Sequence, residues 1–466
     1  DYLTSLNNLA VFYSELGDYQ SALEIKQKVV ILRKEVLGEK HPDYINSLST
    51  LALEYSNLGN YQKALETDIR VVELSKEVLG EKHPDYYMSL NNLAADYIFL
   101  RNYIKSFEIM LQVLQLRNVV LSENHPHFLT SLSNLAVAEF YLSEFNSALR
   151  YYTQMLNKAQ ERVIEYFSLM TEHHREQFWK KYSRDFALFP MFFEKAVVSH
   201  PEGAIDAFNI SMFSKGLLLN TTRDFQEIIA EKGTPEANAK FEELKLIKLE
   251  ILRYLEKPIA ERYLNVDSLE NIAQQKEAEL VKLSKEYGDY TKNLKIIWKD
   301  VQTNLQDNDV AIEFVEYPTL TDTVKYAALV LRKEWQYPRM ISLFSKDQIE
   351  QFINQDKDKI YSNGYIGKQI KKLIWDPLVE VIYPGERVYF SPAGIIHQLA
   401  IENLPADDSI TLGDVYQMYR LSSTKELTLH IIEPQNHIAT LYGGLQYDLA
   451  EEKMIAESKK YEKPGD

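Results

Sequence analysis

Apolar side chains in the first third of the chain recur every three or four residues, and the whole pattern returns after 42 residues. This short spacing is that of an amphipathic helix. Ser-Leu-Asn-Asn-Leu-Ala at residues 5–10 aligns with related hexapeptides at 47–52, 89–94 and 131–136. Repetition at a fixed interval is typical of a solenoid, in which helical hairpins stack side by side. The spacing therefore predicts four helical hairpins over residues 1–158.

One leucine in each unit is assigned to the contact between hairpins. Leu9, Leu51, Leu93 and Leu135 stand at the same place in the four units. We predict that these side chains are buried only where a neighbouring hairpin covers them, so that a single unit would not be stable alone.

Each unit also carries signals for helix boundaries. Asp18, Asn60 and Asn102 separate two apolar stretches in the first three units, and such side chains cap helix N-termini. His-Pro-Asp-Tyr at 41–44 recurs at 83–86 and, in altered form, at 125–128. Successive solenoid layers hold these histidines at least about 8–10 Å apart, because that is the spacing of packed helices. We therefore predict that they pack the loops and bind no metal.

The amino-acid composition disfavours some classes of binding partner. The chain has 466 residues, 45% of them hydrophobic, with 52 Lys and Arg against 68 Asp and Glu. The net charge of −16 disfavours binding to nucleic acid or to an anionic membrane. Without an apolar run of about 20 residues or a signal peptide, we expect a cytoplasmic protein that does not enter the membrane.

Residues 159–299 keep helical spacing but lose the repeat, which predicts a helical connector. Pro201, Pro235 and Pro258 mark breaks or kinks. His173 and His174 are adjacent and point to different helix faces, so they do not suit a metal site.

Near residue 300 the pattern changes to short β-rich runs that alternate with helical stretches. We predict an α/β domain with a central buried sheet over residues 300–466. The predicted strands are 310–315, 326–331, 387–390 and 437–442, and the predicted helical stretches are 346–356 and 366–382.

The repeated signatures resemble the 42-residue tetratricopeptide repeats of kinesin light chains. This resemblance implies that the first helix of each hairpin lines a groove that binds a peptide or protein. The residues assigned to that groove are Asn7, Asn8, Thr50, Asn91, Asn92 and Asn134. The alternative is that these side chains only bond neighbouring helices, and Thr50 would weaken an amide clamp locally.

Ordered motifs in the last third resemble the front part of a CHAT domain, a caspase-like cysteine peptidase family found behind tetratricopeptide arrays. Lys215–Leu219 in the connector fits the same architecture. The motifs are Trp298–Gln302, the strand at 311–314, Tyr389–Gly394 leading into Ile396–Glu402, Tyr419–Thr424 and Leu441–Gly444. The fold class implied is an α-solenoid and helical connector followed by a partial caspase-like α/β domain.

The family's chemistry needs a cysteine nucleophile and a histidine that handles the proton. The chain contains no cysteine, and neither the family's His-Gly motif nor its cysteine motif is present. We therefore assign no catalytic residue, metal ligand or cofactor, and expect this chain alone to be inactive. Asp1 and Tyr2 correspond to Asp43 and Tyr44 without the preceding His-Pro, so we expect both ends to be cuts in a longer protein.

His397 follows a Ser-Pro-Ala-Gly turn and invites assignment as a catalytic base, with Glu402 or Asp376 as its partner. The resemblance implies instead that a residue here frames the site. His430 and His437 are assigned no catalytic role either. Asp407 with Asp408, and Gly443 with Gly444, are interpreted as loop and turn residues.

The leading hypothesis is a fragment of a bacterial protein whose repeats bind a peptide or protein and regulate a caspase-like protease. The alternative is a non-enzymatic adaptor, in which the α/β part is a platform or degenerate protease. A cargo adaptor similar to a kinesin light chain rests on the repeats alone and leaves residues 300–466 unexplained. The sequence leaves the ligand, the substrate and the oligomeric state open.

Overall fold

The computed structural model describes residues 2–117, 126–255, 266–284, 291–321, 323–354, 360–361, 364–407 and 409–429. The described chain forms one unit up to Thr428. Its first eight helices pair as four successive hairpins, as the repeat spacing predicts. They are α1 Tyr2–Glu15, α2 Tyr19–Leu37, α3 Pro42–Asn57, α4 Tyr61–Val78, α5 Pro84–Phe99, α6 Tyr103–Arg117, α7 Pro126–Tyr141 and α8 Phe145–Phe167.

The recurring histidine motif begins the first helix of a hairpin. His41 Nδ1 accepts a hydrogen bond from the Asp43 backbone N–H at 3.1 Å, and His83 does the same for Asp85 at 3.2 Å. The proline that follows each histidine is the first helical residue, where no N–H is needed. The aspartate then places negative charge in the first turn. The histidines are thus helix caps, which explains their recurrence without a metal.

The second helices are capped as predicted. The side chains of Asp18, Asn60 and Asn102 each accept a hydrogen bond from the backbone N–H three residues later, at 3.1, 3.3 and 3.3 Å. Each cap satisfies one N–H that has no partner within the helix.

The leucine layer confirms that hairpins bury one another. Leu51, Leu93 and Leu135 are 7%, 8% and 0% exposed, whereas Leu9 is 43% exposed. The four residues share one register, so the difference comes from the hairpin that precedes α3, α5 and α7.

The connector is helical, as predicted, and Pro201 and Pro235 stand at starts of helical segments. Pro258 lies outside the described residues. None of the helices described is long and apolar enough to cross a membrane. The connector helices are α9 Glu172–Lys180, α10 Ser183–Ala196, α11 Ala204–Ser214, α12 Leu217–Lys232, α13 Pro235–Leu255 and α14 Val266–Ser284.

The last part contains a mixed five-stranded sheet in the order β3-β2-β1-β4-β5. Strand β1 pairs antiparallel with β2 and parallel with β4, β2 pairs antiparallel with β3, and β4 pairs parallel with β5. Its elements are α15 Trp298–Asn304, β1 Asp309–Pro318, β2 Val324–Arg332, β3 Arg339–Ser345, α16 Lys346–Ile353, α17 Tyr365–Ile374, β4 Arg387–Ser391, α18 Leu412–Val415 and β5 Gln417–Arg420.

Three of the predicted strands are confirmed, as β1, β2 and β4. Strands β3 and β5 were not predicted, and the predicted strand at 437–442 lies outside the described residues. Alternate residues of β1 and β2 face two different cores, as the nearly continuous apolar runs require.

One of these cores is shared by three parts of the chain. It contains side chains from the last hairpin, from α10 and α11, and from one face of β1 and β2. Phe192 from α10, for example, stacks on Tyr152 of α8 with ring centroids 4.1 Å apart. Helices α10 and α11 of the connector are therefore packed between the repeats and the sheet.

Candidate functional site

The first helices carry an apolar side chain at one repeated position: Val11, Leu53, Ala95 and Val137. We call these four residues the apolar ladder. Leu53 is 56% exposed and Val11 is also exposed, while Ala95 and Val137 are half-buried. Sequence reasoning missed this feature, although the 42-residue spacing contains it.

The ladder lies beside the predicted amide positions. Asn8, Thr50, Asn92 and Asn134 stand three residues before the four ladder residues, which places both sets on the same face of each first helix. The face therefore combines apolar side chains with hydrogen-bonding groups.

In the first two hairpins, part of the predicted set faces solvent. Asn8 is exposed, and Asn7 and Thr50 are half-buried. The Thr50 hydroxyl donates to the Ser47 carbonyl at 3.1 Å, so its proton is used within its own helix.

In the third and fourth hairpins, the predicted amides bond adjacent hairpins. Asn92 Nδ2 donates to Ser49 Oγ at 3.3 Å, and Asn134 Nδ2 donates to the Asn91 carbonyl at 3.4 Å. Asn91 is buried, and its Oδ1 accepts from Ser131 Oγ at 3.1 Å. These contacts agree with the alternative that the asparagines bond neighbouring helices. Asn92 and Asn134 are nevertheless only half-buried, so both remain partly accessible to solvent.

A second cluster joins the connector to the sheet. Glu313 on β1 is fully buried, and its Oε2 accepts from Lys215 Nζ at 2.7 Å. Lys215 Nζ also donates to the carbonyl and hydroxyl oxygens of Ser391, at 2.9 and 2.8 Å. Three acceptors thus match the three ammonium protons.

The other carboxylate oxygen of Glu313 binds the segment after β5. Oε1 accepts from Ser423 Oγ at 3.0 Å and from the backbone N–H and hydroxyl of Thr424 at 2.6 and 2.7 Å. Burial lowers the pKa of Lys215, and the charge of Glu313 opposes that effect. This closed network, which we call the Lys215 cluster, ties the connector to β1, β4 and the segment after β5.

The Ser-Pro-Ala-Gly turn after β4 is held in place by side chains of β1 and β2. The Tyr326 hydroxyl donates to Glu316 Oε2 at 2.7 Å and accepts from the Ile395 N–H at 3.1 Å. Gly394 has φ +50°, and a Cβ there would lie 1.4 Å from Glu316 Oε2. Only glycine fits this approach.

His397 follows that turn and is exposed. The surrounding protein still removes part of the water around the ring, and this partial desolvation, together with the charges of Lys215 and Arg420, lowers its pKa and favours the neutral ring. Glu402 accepts from Arg420 at 3.2 Å, and Asp376 pairs with Lys371 at 2.8 Å. The two carboxylates that the sequence suggested as partners of His397 therefore bind cations instead.

Among the described residues, no group of three or more His, Asp or Glu side chains is placed to bind one metal ion. His174 Nδ1 lies 2.9 Å from Thr171 Oγ1, and the rings of His173 and His174 meet edge to face with centroids 5.8 Å apart. His430, His437 and the Gly443-Gly444 turn lie outside the described residues.

Comparison with known proteins agrees with the helical hairpins. Residues 1–67 and 86–161 match the family model of the tetratricopeptide repeat. The N-terminal hairpins are tetratricopeptide repeats. No curated protein matches the chain significantly.

Several solved structures are similar to part of the chain. A putative kinesin light chain of Podosopora anserina is 24% identical, over 42% of this chain and 92% of its own, with a TM-score of 0.31. BtubC from P. vanneervenii is 19% identical, over 41% and 71%, with a TM-score of 0.32. Apo RapI is 14% identical, over 61% and 84%, also with a TM-score of 0.32.

Proposed function

We propose that the tetratricopeptide repeats bind an extended segment of a protein partner along the apolar ladder. The observation that carries the proposal is the exposure of Leu53 and Val11 at one register position on successive first helices. Exposed apolar patches on soluble proteins mark binding surfaces. Asn8 and the accessible part of Asn92 supply hydrogen-bonding groups beside the ladder.

The spacing of the ladder suggests the ligand's conformation. Packed helix layers lie about 8–10 Å apart. A polyproline II segment rises about 3.1 Å per residue with three residues per turn, so every third side chain returns to one face after about 9.3 Å. A ligand with an apolar residue at every third position could therefore contact successive residues of the apolar ladder.

Selection from a random-peptide phage library on the immobilised protein tests the binding surface. We expect the selected peptides to lose binding to Leu53→Asp, because the substitution places a charge within the ladder. Ile31→Asp is the matched control, since Ile31 is 57% exposed on the second helix of its hairpin. Peptides that bind Leu53→Asp as well as wild type, or the absence of any selected peptide, would overturn the proposal.

The finer proposal is that the repeats regulate a caspase-like cysteine peptidase, of which residues 300–466 are the front part. It rests on the motifs that resemble a CHAT domain and is supported by the shared core and the Lys215 cluster, which link the repeats to the sheet. The cysteine nucleophile must come from outside these 466 residues, since they contain none.

A peptide-cleavage assay on the product of the complete gene tests this finer proposal. Cleavage that rises when a selected peptide is added, and disappears when a cysteine beyond residues 1–466 is changed to alanine, supports it. Equal inactivity of both proteins favours the non-enzymatic adaptor, for which the absence of cysteine here is the specific observation.

A further inference from the structure

Neighbouring hairpins carry a pair of buried side chains at equivalent positions, one on a second helix and one on the first helix that follows. The pairs lie 42 residues apart: Lys26 with Glu54, Asp68 with Asp96, and Met110 with Ala138. We call them joints 1, 2 and 3. They share a place in the repeat but differ in chemistry.

Joint 1 is an ion pair in which both carboxylate oxygens of Glu54 have partners. Lys26 Nζ lies 2.7 Å from Glu54 Oε1. Ser14 Oγ and Asn57 Nδ2 each donate to Glu54 Oε2 at 3.2 Å. The carboxylate is therefore compensated on both oxygens.

Joint 2 brings two carboxyl groups together in the same place. Asp68 on α4 and Asp96 on α5 are 3% and 4% exposed, and they occupy the repeat positions at which Lys26 and Glu54 lie 2.7 Å apart. Asp68 Oδ1 and Asp96 Oδ2 are buried and accept no hydrogen bond from any donor in the described chain. Two ionised carboxylates buried together repel each other and cannot donate a hydrogen bond, so we infer that one of the two carries a proton.

The cations on the packed helices do not compensate the pair. Lys63 on α4 lies over the Tyr55 ring, and Lys105 on α6 lies over the Tyr97 ring. On α3, Glu54 is paired with Lys26. The other charged side chains described on α3 to α6 are exposed, namely Asp43, Glu66, Arg70, Glu73, Lys76, Glu77, Asp85 and Glu108.

We propose that joint 2 is a proton-dependent contact: a shared proton holds α4 against α5, and its loss loosens the second hairpin from the third. Joints 1 and 3 do not depend on such a proton, because one is an ion pair and the other is apolar. Among the three joints, joint 2 is therefore the one that responds to pH.

The titration direction agrees with this geometry. Burial raises the pKa of Asp68 to about 8, with the charge of Asp96 adding to the effect, and burial raises the pKa of Asp96 to about 6. In an unfolded chain such carboxyls ionise near pH 4. The folded state thus binds more protons between about pH 4 and pH 8, so the joint's stability falls progressively as pH rises from about 4 to about 8.

Hydrogen exchange followed by mass spectrometry on the whole chain measures the effect. Peptides from α4 and α5 report on joint 2, and peptides from the described part of α7 and from α8 provide an internal reference. After correction for the intrinsic pH dependence of exchange, we expect the protection ratio of the two regions to fall at least about tenfold between about pH 5.5 and 8.5, the equivalent of one pKa unit.

Variants test whether the pH-dependent loss of protection comes from joint 2 or from a general effect of pH on the protein. Asp68→Asn keeps a hydrogen bond without a titrating group and should abolish the fall, whereas Glu66→Gln on the exposed side of α4 should retain it. Asp68→Lys recreates the pairing of joint 1 and should also abolish the fall. A constant protection ratio in wild type, or the same fall in Asp68→Asn, would overturn the proposal, whether or not Asp68→Lys folds.

Discussion

Lys26 and Glu54 form an ion pair between α2 and α3 that water does not reach, since both side chains are almost fully buried. A buried charge is tolerated only while its partner remains, because the desolvation cost is otherwise uncompensated. Lys40 and Glu77 form an ion pair of the same type on the surface, where water already stabilises both groups.

Glu54→Ala should therefore lower the free energy of unfolding by about 3–5 kcal/mol, because it leaves the Lys26 ammonium buried alone. Glu77→Ala should cost less than about 1 kcal/mol. Urea unfolding of the two variants, followed by circular dichroism, compares the costs. Similar values for both would contradict the burial argument.

The sequence predicted the roles of single residues well where the same residue type recurs at the same position of successive hairpins. The caps Asp18, Asn60 and Asn102 follow from local chemistry that repeats. Joint 2 was not foreseen, because Asp68 and Asp96 resemble ordinary solvent-facing charges until the two helices are packed. The inward side of a helix is set by its neighbours as well as by its own pattern.

At the scale of the element, the helical hairpin is a unit whose stability depends on its position in the array. Leu9 and Leu135 occupy the same register, yet one is 43% exposed and the other is 0% exposed. Because the hydrophobic contribution scales with apolar area removed from water, equal side chains contribute unequally.

Leu135→Ala should cost about 2–5 kcal/mol of unfolding free energy, the range for buried leucines, whereas Leu9→Ala should cost clearly less. Thermal unfolding of both variants gives the comparison. Equal losses would show that the first hairpin is packed as tightly as the fourth.

Strand prediction succeeded for buried strands and failed at the edges of the sheet. Strands β1, β2 and β4 are apolar along most of their length, so their sequences carry the signal. Strand β3 is mostly exposed or half-buried, and β5 has four residues, three of them exposed. Their hydrogen bonds depend on the neighbouring strand, which local sequence does not show.

At the scale of the whole molecule, the Lys215 cluster joins four segments that lie far apart in the sequence. Lys215 comes from the connector, Glu313 from β1, Ser391 from β4 and Thr424 from the end of the described chain. Sequence reasoning noted the lysine within a motif but had no means of finding its partner, because the ion pair exists only after these segments fold together.

Lys215→Met should lower the melting temperature by several degrees, because it leaves the fully buried Glu313 without its cation. Lys333→Met is the control, since Lys333 pairs with the exposed Asp307 on the surface. Calorimetry on both variants measures the difference. A melting temperature unchanged in Lys215→Met would show that the serine and threonine donors suffice.

The core shared by the last hairpin, the connector and the sheet gives the array two unlike ends. The fourth hairpin is anchored, since opening it would also expose apolar surface on α10 and β1. Within residues 1–466 the first hairpin packs against the second alone, and Leu9 and Phe12 face solvent. In a stack held by nearest-neighbour contacts, fraying starts where contacts are fewest. When a polypeptide of these 466 residues is heated, the hairpins should therefore unfold in order from α1, and the fourth hairpin should unfold last, together with the sheet.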